Sequence, residues 1–232
     1  MIILQFDRGY LKWGKLFLHS LAKNSPGETV FINSVNLFNF QINNLKRIYS
    51  PLIVENHKIK MRKKERGNIM ISRKPYVLKE VIKRFGEEKY LMLDADMIVR
   101  KPLDKLFAKL DSNDGAFYMH EGIWNGKVYD HLKVPSGIIL IKPSALPIID
   151  KWIEVMEREE EISGIKKGKW FWDQITLWRA IEETPNMKLD TVGKTYLRSD
   201  FSDKDAAIWS ANVRKKEKNQ AYRIMKKDLF KE

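Results

Sequence analysis

The hydrophobic positions of this chain fall into short apolar runs separated by stretches of helical period. Ile2 to Phe6 is apolar except for Gln5, and Tyr90-Leu91-Met92-Leu93 is apolar throughout. Runs of this length without alternation suit strands buried on both faces of a parallel or mixed sheet. Val30 to Val35, Leu52 to Glu55, Gly115 to Met119 and Ser136 to Ile141 read as further strands. Tyr10 to Lys23 places Leu11, Leu16, Leu18 and Leu21 at helical spacing and stops at Asn24-Ser25-Pro26-Gly27. Pro75 opens a second helix through Val77, Leu78, Val81, Ile82 and Phe85, ended by Gly86. Leu146 to Glu161 is an amphipathic helix with an acidic end, and Trp170 to Trp178 opens another. The polar, Asn-rich stretch ahead of Leu52 is assigned no element, and the basic segment from Lys58 to Lys74 is predicted as a loop.

Strands alternating with helices predict an α/β fold with a Rossmann-like, mostly parallel sheet flanked by helices. Ligands of such a sheet sit outside the carboxyl ends of its strands. No internal repeat, Gly/Ser-rich linker or clear boundary interrupts residues 1 to 232, which read as one domain with a basic segment from about 210 to 232. No apolar run approaches the roughly 20 residues needed to span a bilayer, and Met1 to Asp7 is too short and too soon acidic for a signal peptide.

Composition narrows the chemistry. With no cysteine, disulfides, thiolate catalysis and cysteine zinc sites are all excluded, which fits a reducing cytoplasm. The 43 basic residues against 30 acidic give a formal charge of +13, so the partners are expected to be anionic. Against that background two carboxylates stand out. Tyr90-Leu91-Met92-Leu93 runs into Asp94-Ala95-Asp96 and resumes as Met97-Ile98-Val99. A charge in such a run is tolerated only at a strand end or on a cation. Asp94 and Asp96 are spaced to hold a divalent ion, and an all-oxygen site of this type suits Mg²⁺ or Mn²⁺ carrying a diphosphate. The other reading of the same pair is a strand-to-turn junction in which both carboxylates cap local backbone groups. Asp173, near the start of a helix, has the same two readings, a cap or a functional acid.

Leu91 to Phe107 resembles the Asp-x-Asp segment of nucleotide-sugar glycosyltransferases of the GT-A fold, especially the family 8 group that includes glycogenin and lipopolysaccharide galactosyltransferases. Phe6-Asp7-Arg8-Gly9-Tyr10 is similar to that group's opening loop, Pro135 to Ile141 to its Asn-Ala/Ser-Gly strand, and Trp172-Asp173-Gln174 to its Asp-Gln pair, all in the family's order over about residues 1 to 180. The resemblance implies a GT-A fold and a hexosyl-transferring enzyme that uses a UDP-sugar, a Mn²⁺ or Mg²⁺ ion and a glycan, glycolipid or protein acceptor, with transfer by the retaining course. Asp7 and Tyr10 would hold the base, Asp94 and Asp96 the metal, with Ala95 beside the nucleotide. Asp173 would contact the sugar hydroxyls and Gln174 would lie near the anomeric carbon. Arg73, Lys74 and Lys215 are the cations placed to add positive charge at the diphosphate.

Two departures matter. Pro135 replaces the family's Asn, and Trp209 to Lys215 keeps the late Lys but lacks the metal-binding His. Ser210 and Asn212 are the nearest substitutes, His120 and His131 are loop alternatives, and a retained water is the remaining one. Trp124, Trp170, Phe171 and Trp172 offer flat faces for an acceptor sugar, or core packing. The tail from Arg214 to Lys231 reads as a helix packed on the protein or as a basic surface lying on the inner membrane leaflet. A nucleic-acid-binding module would use the positive charge but leaves Asp94, Asp96 and Asp173 unexplained, so no nucleic acid is expected. A sugar nucleotidyltransferase also uses metal-binding carboxylates, but the Gly-rich basic loop such enzymes carry is missing after Phe6.

Overall fold

The computed structural model describes residues 1–62, 65–193, 196–198, 205–210 and 215–230. Its main sheet contains seven strands: β1 (Ile2–Asp7), β2 (Val30–Val35), β3 (Leu52–His57), β4 (Tyr90–Asp94), β5 (Gly115–Phe117), β6 (Ile138–Ile141) and β7 (Leu189–Thr191). They follow the order β7-β5-β6-β4-β1-β2-β3. Pairing is parallel from β1 through β2 to β3 and between β7 and β5, and antiparallel between β5 and β6. The helices are α1 (Leu11–Asn24), α2 (Asn39–Ile48), α3 (Arg66–Phe85), α4 (Asp104–Phe107), α5 (Leu146–Arg158), α6 (Trp172–Glu182) and α7 (Lys215–Phe230). Among the described residues, no helix is long and apolar enough to cross a membrane. The chain forms two compact units, one from Met1–Ile59, Leu93–Leu106 and Gly193–Glu232, the other from Lys60–Met92 and Phe107–Val192.

In the first unit the apolar run of β1 is fully buried at Ile2, Ile3 and Leu4, each such side chain contributing about 1.5–3 kcal/mol of transfer free energy. The register sets Ile2 beside Val30 and Asp7 beside Val35, then Val30 beside Leu52. Polar side chains of β2 reach across to β3: the Ser34 hydroxyl donates to the Glu55 carbonyl, and Asn33 Nδ2 lies 2.9 Å from His57 Nε2, while Asn33 Oδ1 is buried with no hydrogen-bond partner among the described residues. Helix α1 crosses close to β1 at Gly14, where a Cβ would sit 2.7 Å from Phe6 Cζ. Its last turns hold the short strand Ile98–Val99 by side-chain bonds, Asn24 Nδ2 donating to the Val99 carbonyl and the Val99 amide donating to Ser20 Oγ. That strand pairs antiparallel with Ile208–Trp209. Trp13, Leu16, Ile98, Trp209 and Met225 form one apolar cluster with Tyr222 against it, so α7 packs on α1 as the first of its two readings expects.

In the second unit α3, α5 and α6 pack on one another. Trp152 Nε1 donates to Thr176 Oγ1, and Thr176 Oγ1 donates in turn to the Trp172 carbonyl, so the polar atoms between α5 and α6 are paired.

Two expectations are corrected. The basic segment ending at Lys74 is not a loop throughout, because α3 begins at Arg66 and Pro75 lies inside it. Proline matches helical φ, and removing one backbone hydrogen bond is tolerated where burial on neighbouring helices offsets it; Pro75 itself is buried. The Asn-rich stretch forms α2, opened by a bond from the Phe38 amide to Gln41 Oε1. Asn is a weak helix former, and only Leu45 of α2 is buried, so neither propensity nor period signals it. The other boundaries move by a few residues, β5 stopping at Phe117 and α5 at Arg158.

Gly14 provides a test of this packing. Alanine normally favours a helix interior by about 1 kcal/mol, but here the added methyl meets the Phe6 ring, so Gly14→Ala is expected to destabilise by about 1–3 kcal/mol, the scale of overpacking. Urea unfolding measures it, and a gain in stability would show that the ring yields.

Candidate active site

The first unit carries one group of the expected residues. Asp7 ends β1 and is buried, and its Oδ1 accepts from the Gly9 amide at 2.8 Å. This bond closes the turn Arg8–Tyr10 and leads directly into α1. Tyr10 emerges 43% exposed rather than packed in the core. Arg8 lies over the Phe38 ring, 5.1 Å from its centroid. Strand β4 is the neighbour of β1, and Asp94 is its last residue. The Met97 amide donates to the Asp94 carbonyl, closing a tight turn in which Ala95 is buried while Asp94 and Asp96 remain half-buried. The apolar run therefore stops where the carboxylates begin, and solvent reaches both.

Among the described residues, no three His, Asp or Glu side chains cluster as a complete metal site. Two half-buried carboxylates at one turn fit a hard ion that keeps several waters and takes further oxygens from phosphate, the usual coordination of Mg²⁺. Ser210 is half-buried directly after Ile208–Trp209, whereas Asn212 lies outside the described residues. Lys215 is the first residue of α7, and its side chain is likewise outside them.

The second unit carries the other group. The Asp173 carboxylate, in the first turn of α6, is almost fully buried. Its Oδ2 accepts the Ser136 hydroxyl at 2.5 Å and lies 2.9 Å from Lys74 Nζ. Lys74 also donates to Ser136 Oγ at 3.0 Å and to the Ser136 carbonyl at 3.3 Å, so three residues from α3, from the turn before β6 and from α6 close a polar triangle. Asp173 is thus bound to two partners distant in sequence. Lys74, expected beside a diphosphate, serves in this structure as the counter-ion of Asp173. Ser136 was legible only as part of the Pro135–Ile141 segment; the signal that marks it individually is a hydroxyl entering a buried strand, which has to find a partner. One position before Lys74, the Arg73 Nε is buried with no hydrogen-bond partner among the described residues. Gln174 is half-buried, its amide bonded to the Phe171 carbonyl.

The aromatic residues divide. Trp172 is core, whereas Trp124 and Trp170 are 62% and 63% exposed. Trp124, Tyr129, His131, Phe171 and Trp170 follow one another at centroid spacings of 6.1, 5.6, 4.6 and 6.0 Å. Phe171 takes a φ of +73°, a costly conformation for a bulky residue, and its ring stacks on His131. Burial lowers the His131 pKa, with Asp130 opposing, so the neutral imidazole is favoured in this stack. His120 is engaged differently, its Nδ1 accepting from the Gly122 amide.

Removing one member of the buried Lys74–Asp173 pair leaves an uncompensated charge. Lys74→Met is expected to cost about 3–5 kcal/mol, and the Lys74→Met/Asp173→Asn double variant to recover a large part of it. A double-mutant cycle by urea unfolding measures this coupling, and simple additivity would mean that the pair carries little.

No protein-family model matches the chain, and no curated protein matches it in sequence. Solved structures match its fold. The glycosyltransferase GlyE of Streptococcus pneumoniae TIGR4 covers the whole chain with a TM-score of 0.64 at 15% identity, and the chain spans 61% of that protein. The galactosyltransferase LgtC, solved with donor and acceptor sugar analogs, gives a TM-score of 0.63 at 13% identity over 100% of this chain and 97% of its own. A glycosyltransferase involved in glycosylation of the major capsid of PBCV-1 gives 0.60 at 14% identity, over 97% and 98% respectively. At these identities the likeness is one of fold, and function has to be argued from the site. The chain has the α/β, GT-A fold that these glycosyltransferases share.

Proposed function

We propose that this protein is a hexosyltransferase-type enzyme that moves a sugar from a nucleoside diphosphate, UDP in particular, to an acceptor hydroxyl with Mn²⁺ or Mg²⁺ bound. The observation that carries this reading is the Asp94-Ala95-Asp96 turn at the end of a buried strand, on a chain with this fold. Asp94 and Asp96 would hold the ion, which when bound supplies positive charge for a diphosphate leaving group. Tyr10 would stack on the base, and the Asp7 carboxylate, fixed at the end of β1 by the Gly9 amide, would accept from a base N–H. That polarity favours uracil, whose N–H donates, over the corresponding edge of adenine.

Asp173 and Gln174 are assigned to the donor sugar. Lys74 and Ser136 hold the Asp173 carboxylate fixed in orientation, so it would accept hydrogen bonds from sugar hydroxyls without reorganising. A carboxylate already engaged by a lysine and a serine is a poor general base. This supports the retaining course, in which the departing phosphate takes the acceptor proton. The exposed rings of Trp124 and Trp170 supply apolar faces for a glycan or glycolipid acceptor.

UDP is expected to bind tightly in Mn²⁺ and weakly in EDTA, and Asp96→Ala to abolish the difference without changing the melting temperature. Calorimetric titration decides it, and equal affinity with and without the ion would defeat the proposal, as would release of pyrophosphate in place of UDP. Asp173→Asn should leave UDP affinity within a few-fold and lower transfer by about two orders of magnitude. Trp170→Ala should raise the acceptor KM while leaving that of the donor unchanged. Normal turnover in Asp173→Asn would remove Asp173 from the reaction.

A further inference from the structure

The first unit contains a second concentration of charge that the proposed transfer does not use. Leu11, Lys12, Lys15, Leu16 and His19 of α1, with Tyr222 and Lys226 of α7, line a groove of about 320 Å³, at the lower end of the usual range for small-molecule sites. Lys12, Lys15 and His19 are spaced three and four residues apart, so they form one stripe of α1, and Lys226 joins them from α7. Among the described residues no carboxylate lines the groove, and Lys12, Lys15 and Lys226 form no ion pair. Lys12 is held instead over the rings of Trp13 and Tyr222, at 5.6 and 5.2 Å from their centroids. The His19 pKa is lowered by burial first and by the neighbouring Lys15 charge second. Like charges at such spacing destabilise a helix by a few tenths of a kcal/mol per pair, and here two helices bring them to one concave surface.

We propose that this groove is a binding site for a phosphate or diphosphate group, separate from the carboxylate turn and independent of a divalent ion. Lysines are point-charge phosphate ligands, and an anion seated among Lys12, Lys15 and Lys226 relieves their mutual repulsion. The Tyr222 ring and the side chains of Leu11 and Leu16 give the groove an apolar side, so a phosphate attached to an organic or lipid body fits the same chemistry as a free one.

Inorganic pyrophosphate titrated into the full chain in EDTA at low ionic strength tests the site. EDTA silences a metal-dependent diphosphate site, so the result is independent of the role of Asp94 and Asp96. Saturable binding is expected, lost progressively with added salt as exposed charges are screened. Lys15→Glu/Lys226→Glu is expected to weaken it by about tenfold or more, and Asp96→Ala to leave it unchanged. Lys15→Gln/Lys226→Gln, which carries no new charge, should weaken it in the same direction, and both double variants should melt no lower than the wild type, because among the described residues neither lysine is part of an ion pair and like-charge repulsion is relieved. Failure to bind pyrophosphate in EDTA, or equal affinity in the charge-reversed variant, would overturn the proposal. Co-sedimentation with phosphatidylcholine vesicles containing phosphatidic acid identifies the source of the phosphate. Wild-type binding lost in Lys15→Glu/Lys226→Glu assigns the groove to a lipid headgroup, and pyrophosphate binding without vesicle binding assigns it to a soluble phosphate. Vesicle binding undiminished in that variant would exclude the groove as the lipid site.

Discussion

A strand buried on both faces accepts a polar side chain only where the strand stops or where a partner is waiting, and the rest of this protein is arranged around that constraint. Ile2, Ile3 and Leu4 are wholly buried in β1, as are Ile138 to Ile141 in β6. Polar groups of the site therefore collect at strand ends: the carboxylates of Asp7 and Asp94 close β1 and β4, and the Ser136 hydroxyl precedes β6. Where polarity enters a strand, as at Asn33 and Ser34, β3 supplies His57 and the Glu55 carbonyl, each one or two residues off the paired position. The cost of an unpaired buried polar group, about 1–3 kcal/mol, is comparable with what each buried aliphatic residue contributes, so neither can be placed without regard to the other.

Charge is handled in three ways, and their magnitudes differ. The ion pairs of Arg158 with Glu154, Glu159 and Glu183 are at the surface and are worth roughly 0–1 kcal/mol each. The Lys74–Asp173 pair is buried, so its value lies less in net stability than in the penalty for breaking it, which fixes the carboxylate in one orientation. The α1–α7 groove gathers lysines with no carboxylate beside them among the described residues. A net charge of +13 is thus unevenly distributed, and its functional content resides in a few positions.

The aromatic residues show how one composition serves two ends. Trp13, Trp152, Trp172 and Trp209 are buried and set the spacing of helices against strands. Trp124 and Trp170 are exposed, at the two ends of a run of rings that includes the strained Phe171. An exposed indole next to polar side chains is a poor contributor to folding and a good one to recognition of a sugar face.

The sequence by itself determined the elements whose signals are local. Apolar runs gave the strands, Gly86 gave the left-handed end of α3, and the break in the run at Asp94 located the carboxylate turn. The order of Asp7, Asp94-Ala95-Asp96, Ser136-Gly137 and Asp173-Gln174 was enough to anticipate the GT-A fold. Only the tertiary structure decided what depends on partners far apart in the chain. It extended α3 back through Pro75, because packing on α5 and α6 outweighs the lost backbone bond, and it formed α2 from poor helix formers. It paired Lys74 with Asp173, 99 residues away and not separable from the neighbouring cations by type alone. It sent Trp172 inward and Trp170 outward, because Trp172 is the first residue of the packed helix α6 while Trp170 lies in the turn before it, ahead of the left-handed Phe171 where the chain changes direction.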